Sequence, residues 1–126
     1  MRIIVAGGRD FYNKEVAFRC LNSLKLMQDD IIVSGHAKGA DTLGEEYAKV
    51  CRLKTEIYPA NWAKYGKKAG PIRNIQMAEV ADALVVFWNG FSKGTRHMIE
   101  EATKRHLRIV AFDYNGNIIN LTKSQF

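Results

Sequence analysis

The chain has 126 residues, 47% of them apolar and 25% charged, with 19 Lys and Arg against 13 Asp and Glu for a net charge of +6. These proportions exclude disordered and fibrous classes. A chain of this length buries about two thirds of its unfolded surface, enough for one core and too little for two ordinary domains, so residues 1–126 are read as a single domain.

The longest wholly apolar run, Ala83 to Trp88, falls far short of the ~20 residues that span a bilayer. Met1 to Ala6 runs into a glycine turn instead of a signal-peptide core. A soluble, unprocessed, cytoplasmic protein with no membrane partner is expected. Cys20 and Cys51 form no CxxC pair and are read as two buried, reduced thiols.

In chain order, Arg2 to Ala6, Asp30 to Ser34, Thr55 to Tyr58, Ala83 to Trp88 and Arg108 to Phe112 read as strands apolar on both faces, the mark of a covered parallel sheet. Helical stripes alternate with them: Ala17, Leu21, Leu24 and then Met27 or Gln28; Leu43, Tyr47, Val50 and Cys51; Met98, Ile99, Ala102 and His106. Between the third and fourth strands, Pro59 to Gly70 reads as a long loop. Pro71 follows it as the first position of a helix that runs to about Val80. Asn115-Gly116 predicts a two-residue hairpin joining Arg108 to Tyr114 with an antiparallel edge strand over Asn117 to Leu121. The expected architecture is an α/β, Rossmann-like, doubly wound parallel sheet with a C-terminal antiparallel edge hairpin.

Ligands in such sheets bind outside the carboxyl ends of the strands, where the strand order reverses. Here those ends carry Gly7-Gly8-Arg9-Asp10, Ser34-Gly35-His36-Ala37-Lys38-Gly39-Ala40-Asp41, and Asn89-Gly90-Phe91-Ser92-Lys93-Gly94-Thr95. Glycines admit an anion close to backbone N–H groups, and a helix N-terminus adds about half a positive charge, so the three loops are candidate phosphate cradles. None matches GxGxxG or GxxxxGK[ST], so neither NAD nor ATP is implied and no cofactor is expected.

The positive excess is concentrated. Residues 57–78 contain Lys64, Lys67, Lys68 and Arg73 and no acid, while 83–99 contain Lys93 and Arg96 and no acid. A solvated basic face is the ordinary reading; an anion site requires the two segments to meet in space.

The succession GGRDF (7–11), SGHAKGADTLGEEYA (34–48), PANWAKYGKKAGPIRNIQM (59–77), ADALVVFWNG (81–90) and SKGTRHMIEEA (92–102) resembles the SLOG superfamily, and within it the small stand-alone family related to the YspA and YpsA proteins. The resemblance covers roughly residues 3–112. It implies a Rossmann-like fold and a nucleotide or nucleotide-derived ligand. Relatives in the superfamily include cytokinin-activating nucleoside-monophosphate phosphoribohydrolases, molybdenum-cofactor carriers and a DNA-processing protein that acts on single strands. The Arg of the phosphoribohydrolases' MxxRK segment matches Arg73, with Asn74 in place of the following Lys. Of their PGGxGTxxE loop, Gly94 and Thr95 remain, and the position of the catalytic Glu holds Met98, whose thioether cannot serve as an acid. The resemblance therefore implies phosphate binding and leaves enzymatic N-glycosidic hydrolysis open.

The candidate ligand-binding residues are Gly7, Gly8, Arg9, Ser34, Gly35, Lys38, Gly39, Arg73, Asn74, Ser92, Gly94 and Thr95, and the candidate catalytic carboxylates are Asp10 and Asp41. Arg73 is read in the first turn of its helix, where a cation opposes the dipole unless an anion or a nearby acid compensates. Arg9 and Asp10 either pair with each other or reach ribose hydroxyls, and Asp41 either caps its helix or holds ribose and polarises water. His36 and His97 have no metal-ligand spacing, so no metal is expected, and His97 is the better candidate for ligand contact. Trp62, Tyr65, Trp88 and Phe91 are candidates for stacking on a base, with a core role the alternative for Trp88. Glu100 and Glu101 are read as solvated. The expected partner is a nucleotide-like small molecule; single-stranded nucleic acid is the rival, and a second copy of the chain stays open.

Overall fold

The structure, a computed structural model, describes residues 1–121; the last five residues of the expected 1–126 domain lie outside that range. Strands β1 (Arg2–Gly7), β2 (Ile31–Ser34), β3 (Lys54–Ile57), β4 (Ala83–Phe87), β5 (Arg108–Phe112) and β6 (Ile118–Ile119) form one sheet in the order β3-β2-β1-β4-β5-β6. Neighbours pair in parallel except β5 and β6, which are antiparallel. This is the Rossmann-like arrangement with an antiparallel C-terminal edge that the sequence predicts.

Alternate residues of the central strands serve two cores. Ile3, Val5, Ile32, Val85 and Phe87 pack under helices α1 (Lys14–Ser23) and α2 (Ala40–Cys51) on one face. On the other face, Ile4, Ala6, Val33, Leu84 and Val86 pack with two further helices. Numbered after the short α3 (Trp62–Tyr65), these are α4 (Ala69–Val80) and α5 (Lys93–Lys104). Each fully buried Val, Leu or Ile contributes roughly 1.5–3 kcal/mol, which is why both periodic sets are needed to hold the sheet edge that carries the glycine loops.

Five local expectations change. β3 is not covered on both faces: Lys54, Thr55 and Ile57 are exposed, because β3 is the outer strand with β2 as its one partner. The first helix stops at Ser23, where the Leu24 and Lys25 amides bond back to Leu21 and Asn22; the exposed Met27 and Gln28 are outside its stripe. Within Pro59 to Gly70 lie α3 and a 3-10 turn over Gly66–Lys68 instead of plain loop. Asn61 seeds α3, its side chain accepting from the Lys64 amide at 3.1 Å. The hairpin loop is longer by one residue. Asp113 pairs with Asn117, and Gly116 takes a left-handed φ of 89°, the three-residue loop with a bulge that follows a type I turn. Both cysteines are free, Cys20 buried and Cys51 only half-buried, against the expectation of two buried thiols.

Candidate functional site

The strand order reverses between β1 and β4, which opens a crevice at their carboxyl ends. The crevice is a cleft of about 690 Å³. The end of β1 supplies Gly7 and the loop after it Arg9 and Asp10, the start of α2 supplies Asp41, and α4 supplies Arg73 and Asn74. The opposite wall is Ser92, Lys93, Gly94 and Thr95 at the start of α5. The two acid-free basic segments thus meet here, since Trp62 and Arg73 come from one and Lys93 from the other.

Arg73 dominates the electrostatics. Helix α4 begins at Ala69, two residues before Pro71, so Arg73 stands in its second turn and the argument from a first-turn cation falls away. Burial carries the argument instead. Arg73 is 9% exposed; its Nη1 donates to the Gly35 carbonyl at 2.6 Å and its Nε to Asn74 Oδ1 at 3.0 Å. Desolvation pulls the guanidinium pKa down, and the charge of nearby Asp41 works the other way. A buried guanidinium with two of its five N–H groups satisfied in this way has donors left for an anion.

Asp41 is 5% exposed and is not the helix cap, a place held by Gly39. Its Oδ2 accepts from the Ala37 amide at 3.1 Å, closing the turn before the helix. Burial lifts its carboxyl to about 6, against the Ala37 bond and the Arg73 charge that favour ionisation. A carboxyl poised there can exchange a proton near neutrality.

Arg9 and Asp10 do not pair with each other among the described contacts. Arg9 lies over the ring of Trp62, 5.5 Å from its centroid. Asp10 Oδ1 accepts from the Tyr114 hydroxyl at 2.5 Å. Trp62, 50% exposed, and Phe91, 87% exposed, both line the cleft. Trp88 instead packs in the core, its indole N–H donating to the Ser92 carbonyl at 3.2 Å, and Tyr65 is off the cleft wall.

The three glycine loops are not equivalent. The first two are interlocked: the Ala40 amide bonds the Gly8 carbonyl at 3.2 Å, and a side chain at Gly39, whose φ is +79°, would collide with the Gly8 and Arg9 carbonyls. The Gly8 amide is used by the Phe87 carbonyl at 3.2 Å. At α5 the Ser92 hydroxyl accepts from the Thr95 amide at 3.3 Å and touches Thr95 Oγ1 at 2.9 Å. The Lys93 and Gly94 amides, at the first two helical positions, have no acceptor within the helix, and both residues line the cleft.

Of the other predicted residues, Gly8, Ser34, Gly35, Lys38 and Gly39 are outside the cleft wall. Ser34 donates to Glu45 at 2.6 Å, and Lys38 is exposed. Met98 is buried beneath the cleft. His97 lines the cleft between Asn74, 3.2 Å from its Nδ1, and Glu101, 3.5 Å from its Nε2. Glu101 is not solvated but 6% exposed; burial opposes its charge, and the Arg105 hydrogen bond with the charges of Lys104, Arg105 and His97 outweighs it and holds the pKa low. The i,i+4 spacing of His97 to Glu101 and of Glu101 to Arg105 was the sequence signal for this chain. Among the described residues no group of three or more His, Cys, Asp or Glu is placed to hold a metal, and no helix is long and apolar enough to cross a membrane.

A reversed-order α/β sheet with a cleft at the reversal defines the class: a Rossmann-like domain. The family model described as the YspA, cpYpsA-related SLOG family matches residues 1–65, and the chain belongs to that family. It is 38% identical over 88 residues to the gene 61 protein of Mycobacterium phage D29, a match that spans 65% of this chain and 70% of that protein. Its fold is similar to that of DNA processing protein A (DprA) from Streptococcus pneumoniae, with a TM-score of 0.68 and 20% identity, across 89% of this chain and 50% of that one. This chain therefore spans half the length of that structure's chain, and the likeness is one of fold.

Proposed function

We propose that the cleft binds a phosphate-bearing nucleotide or nucleotide-derived small molecule in the cytoplasm, where two free thiols stay reduced. The observation that carries this reading is Arg73, a buried guanidinium with unused donors in a cleft whose facing wall is the start of α5. The phosphate sits against Arg73 and the Lys93 and Gly94 amides, with Ser92, Thr95 and Asn74 around it, and the base stacks on the exposed aromatics Trp62 or Phe91. Asp10 and Asp41 are the carboxylates available for a ribose or for N-glycosidic hydrolysis, since Met98 cannot assist.

The rival, single-stranded nucleic acid, draws on the exposed Lys64, Lys67, Lys68 and Tyr65 beside the cleft. Calorimetric titration of the full chain with nucleoside 5′-monophosphates and with oligonucleotides, at several salt concentrations, separates the two. Mononucleotide binding with a shallow log-log salt slope is expected; binding of oligonucleotides alone, with a steep slope, overturns it.

A further inference from the structure

Behind the Arg9–Trp62 stack lies a second, smaller cavity of about 160 Å³. Arg9, Ala37, Trp62 and Arg73 line both spaces, so the stack forms the wall between them. The remainder of the smaller cavity is Gly35, His36, Pro59 and Ala60. The two differ in charge. The main cleft sets Asp10 and Asp41 beside Arg9, Arg73 and Lys93, whereas the smaller cavity has Arg9, Arg73 and His36 and no carboxylate in its lining. Concave walls lined by one sign of charge raise the local concentration of the opposite ion.

His36 is held for this position at a backbone cost. Its φ of 59° is left-handed, an arrangement uncommon outside glycine. Two side chains support it: the Ser34 hydroxyl accepts from the His36 amide at 3.1 Å, and Glu45 lies 3.0 Å from Nδ1. Ser34 in turn donates to the same Glu45 carboxylate at 2.6 Å. With Nδ1 engaged by Glu45, Nε2 is the ring nitrogen left over, and the protonated ring donates from it. The Glu45 bond raises the His36 pKa and so favours that form.

We propose that the smaller cavity is a second anion subsite that takes an additional phosphoryl group, bounded by His36, Arg9 and Arg73, so that a nucleotide carrying two phosphoryl groups is preferred to a monophosphate. The proposal rests on the nucleotide reading of the main cleft. The second group comes either through an anhydride, as in a 5′-diphosphate, or as a separate ester on the ribose.

The test compares affinities of adenosine 5′-monophosphate, adenosine 5′-diphosphate and adenosine 3′,5′-bisphosphate for the full chain and for the variants His36→Gln and Ala60→Leu. One of the two-phosphoryl ligands is expected to bind at least about 10-fold more tightly than the monophosphate, the effect of a charge-assisted contact, and which one does so identifies the linkage. His36 and Ala60 line the smaller cavity and not the main cleft, so both variants should erase that advantage and leave monophosphate affinity unchanged. Monophosphate binding with no gain from either second group, or a gain that survives both substitutions, overturns this inference and leaves the nucleotide reading standing. Inorganic pyrophosphate gives a reading independent of the base: it should shift the His36 imidazole NMR signal, and an unmoved signal at saturation overturns the subsite. Failure of every nucleotide to bind overturns both readings.

Discussion

Arg73 and Gly35, 38 positions apart, are joined by a 2.6 Å hydrogen bond from guanidinium to carbonyl that ties α4 to the turn after β2. Arg73→Ala therefore removes a ligand donor and a strut together. Nucleotide affinity should fall by about 1.5–3 kcal/mol, and the melting temperature should fall with it, because the Gly35 carbonyl and the Asn74 amide oxygen lose a buried charged donor. Calorimetry and thermal melting of the same samples check both halves, and a variant that matches the wild type in each removes Arg73 from the site.

Gly94→Val isolates the α5 wall. A Cβ built at Gly94 meets nothing within 4 Å, and the residue lies inside the helix with no positive φ, so the turn excludes no side chain there. Valine is a better helix former than glycine, so the fold should be unchanged or stabilised by less than about 1 kcal/mol. The added branches would stand where a phosphate must approach the Lys93 and Gly94 amides. A well-dispersed NMR spectrum with phosphate-induced shifts abolished is expected; unchanged shifts would place the phosphate elsewhere.

Asp41 makes stability depend on pH in a stated direction. Its carboxyl titrates near 6 in the folded chain against an ordinary 3.8. A raised folded pKa stabilises the folded state fully below the unfolded value, and that contribution, about 3 kcal/mol for two units, is lost as pH climbs from about 4 through about 6. Asn mimics the neutral acid. Asp41→Asn should match the wild type near pH 4 and exceed it in stability by up to about 3 kcal/mol at pH 8, measured by denaturant melts. A difference that does not change with pH would refute the assignment.

Hydrolysis of nucleoside 5′-monophosphates should be weak or absent, since the thioether of Met98 in the cleft wall can serve neither as an acid nor as a charged stabiliser. Any base release followed by chromatography should disappear in Asp10→Asn and in Asp41→Asn with binding retained. Robust turnover surviving both substitutions would mean that another group does the chemistry. Tight binding without turnover would favour a carrier or sensor.

The sheet was legible because its central strands are apolar on both faces and its helices keep their stripes. β3 reads as a covered strand because an edge strand and a central strand look alike in a short β-branched run; what distinguishes them is the missing neighbour. Arg73, Gly94 and Thr95 are legible through the motif residues they match, and Asn74 as the neighbour of Arg73, although both α4 residues stand in its second turn and not at its start. The Tyr114 bond to Asp10 is not legible, since it joins residues 104 apart through the hairpin turn. Glu45 reads as one acid among several on α2, and its place between Ser34 and His36 depends on the left-handed turn at His36, which no local pattern announces.

The position of β1 between β2 and β4 also sets the order in which the chain can assemble. The Arg2 amide bonds the Asp82 carboxylate at 2.8 Å across 80 positions, and Ile3 registers against Ala83. A nascent chain that has emerged only as far as β3 leaves β1 with one bare edge and with Ile4 and Ala6 uncovered, because α4 and α5 have yet to appear. Closing so long a loop before its contacts reward it makes the folding step slow, and until β4 docks the open edge of β1 invites pairing with other chains.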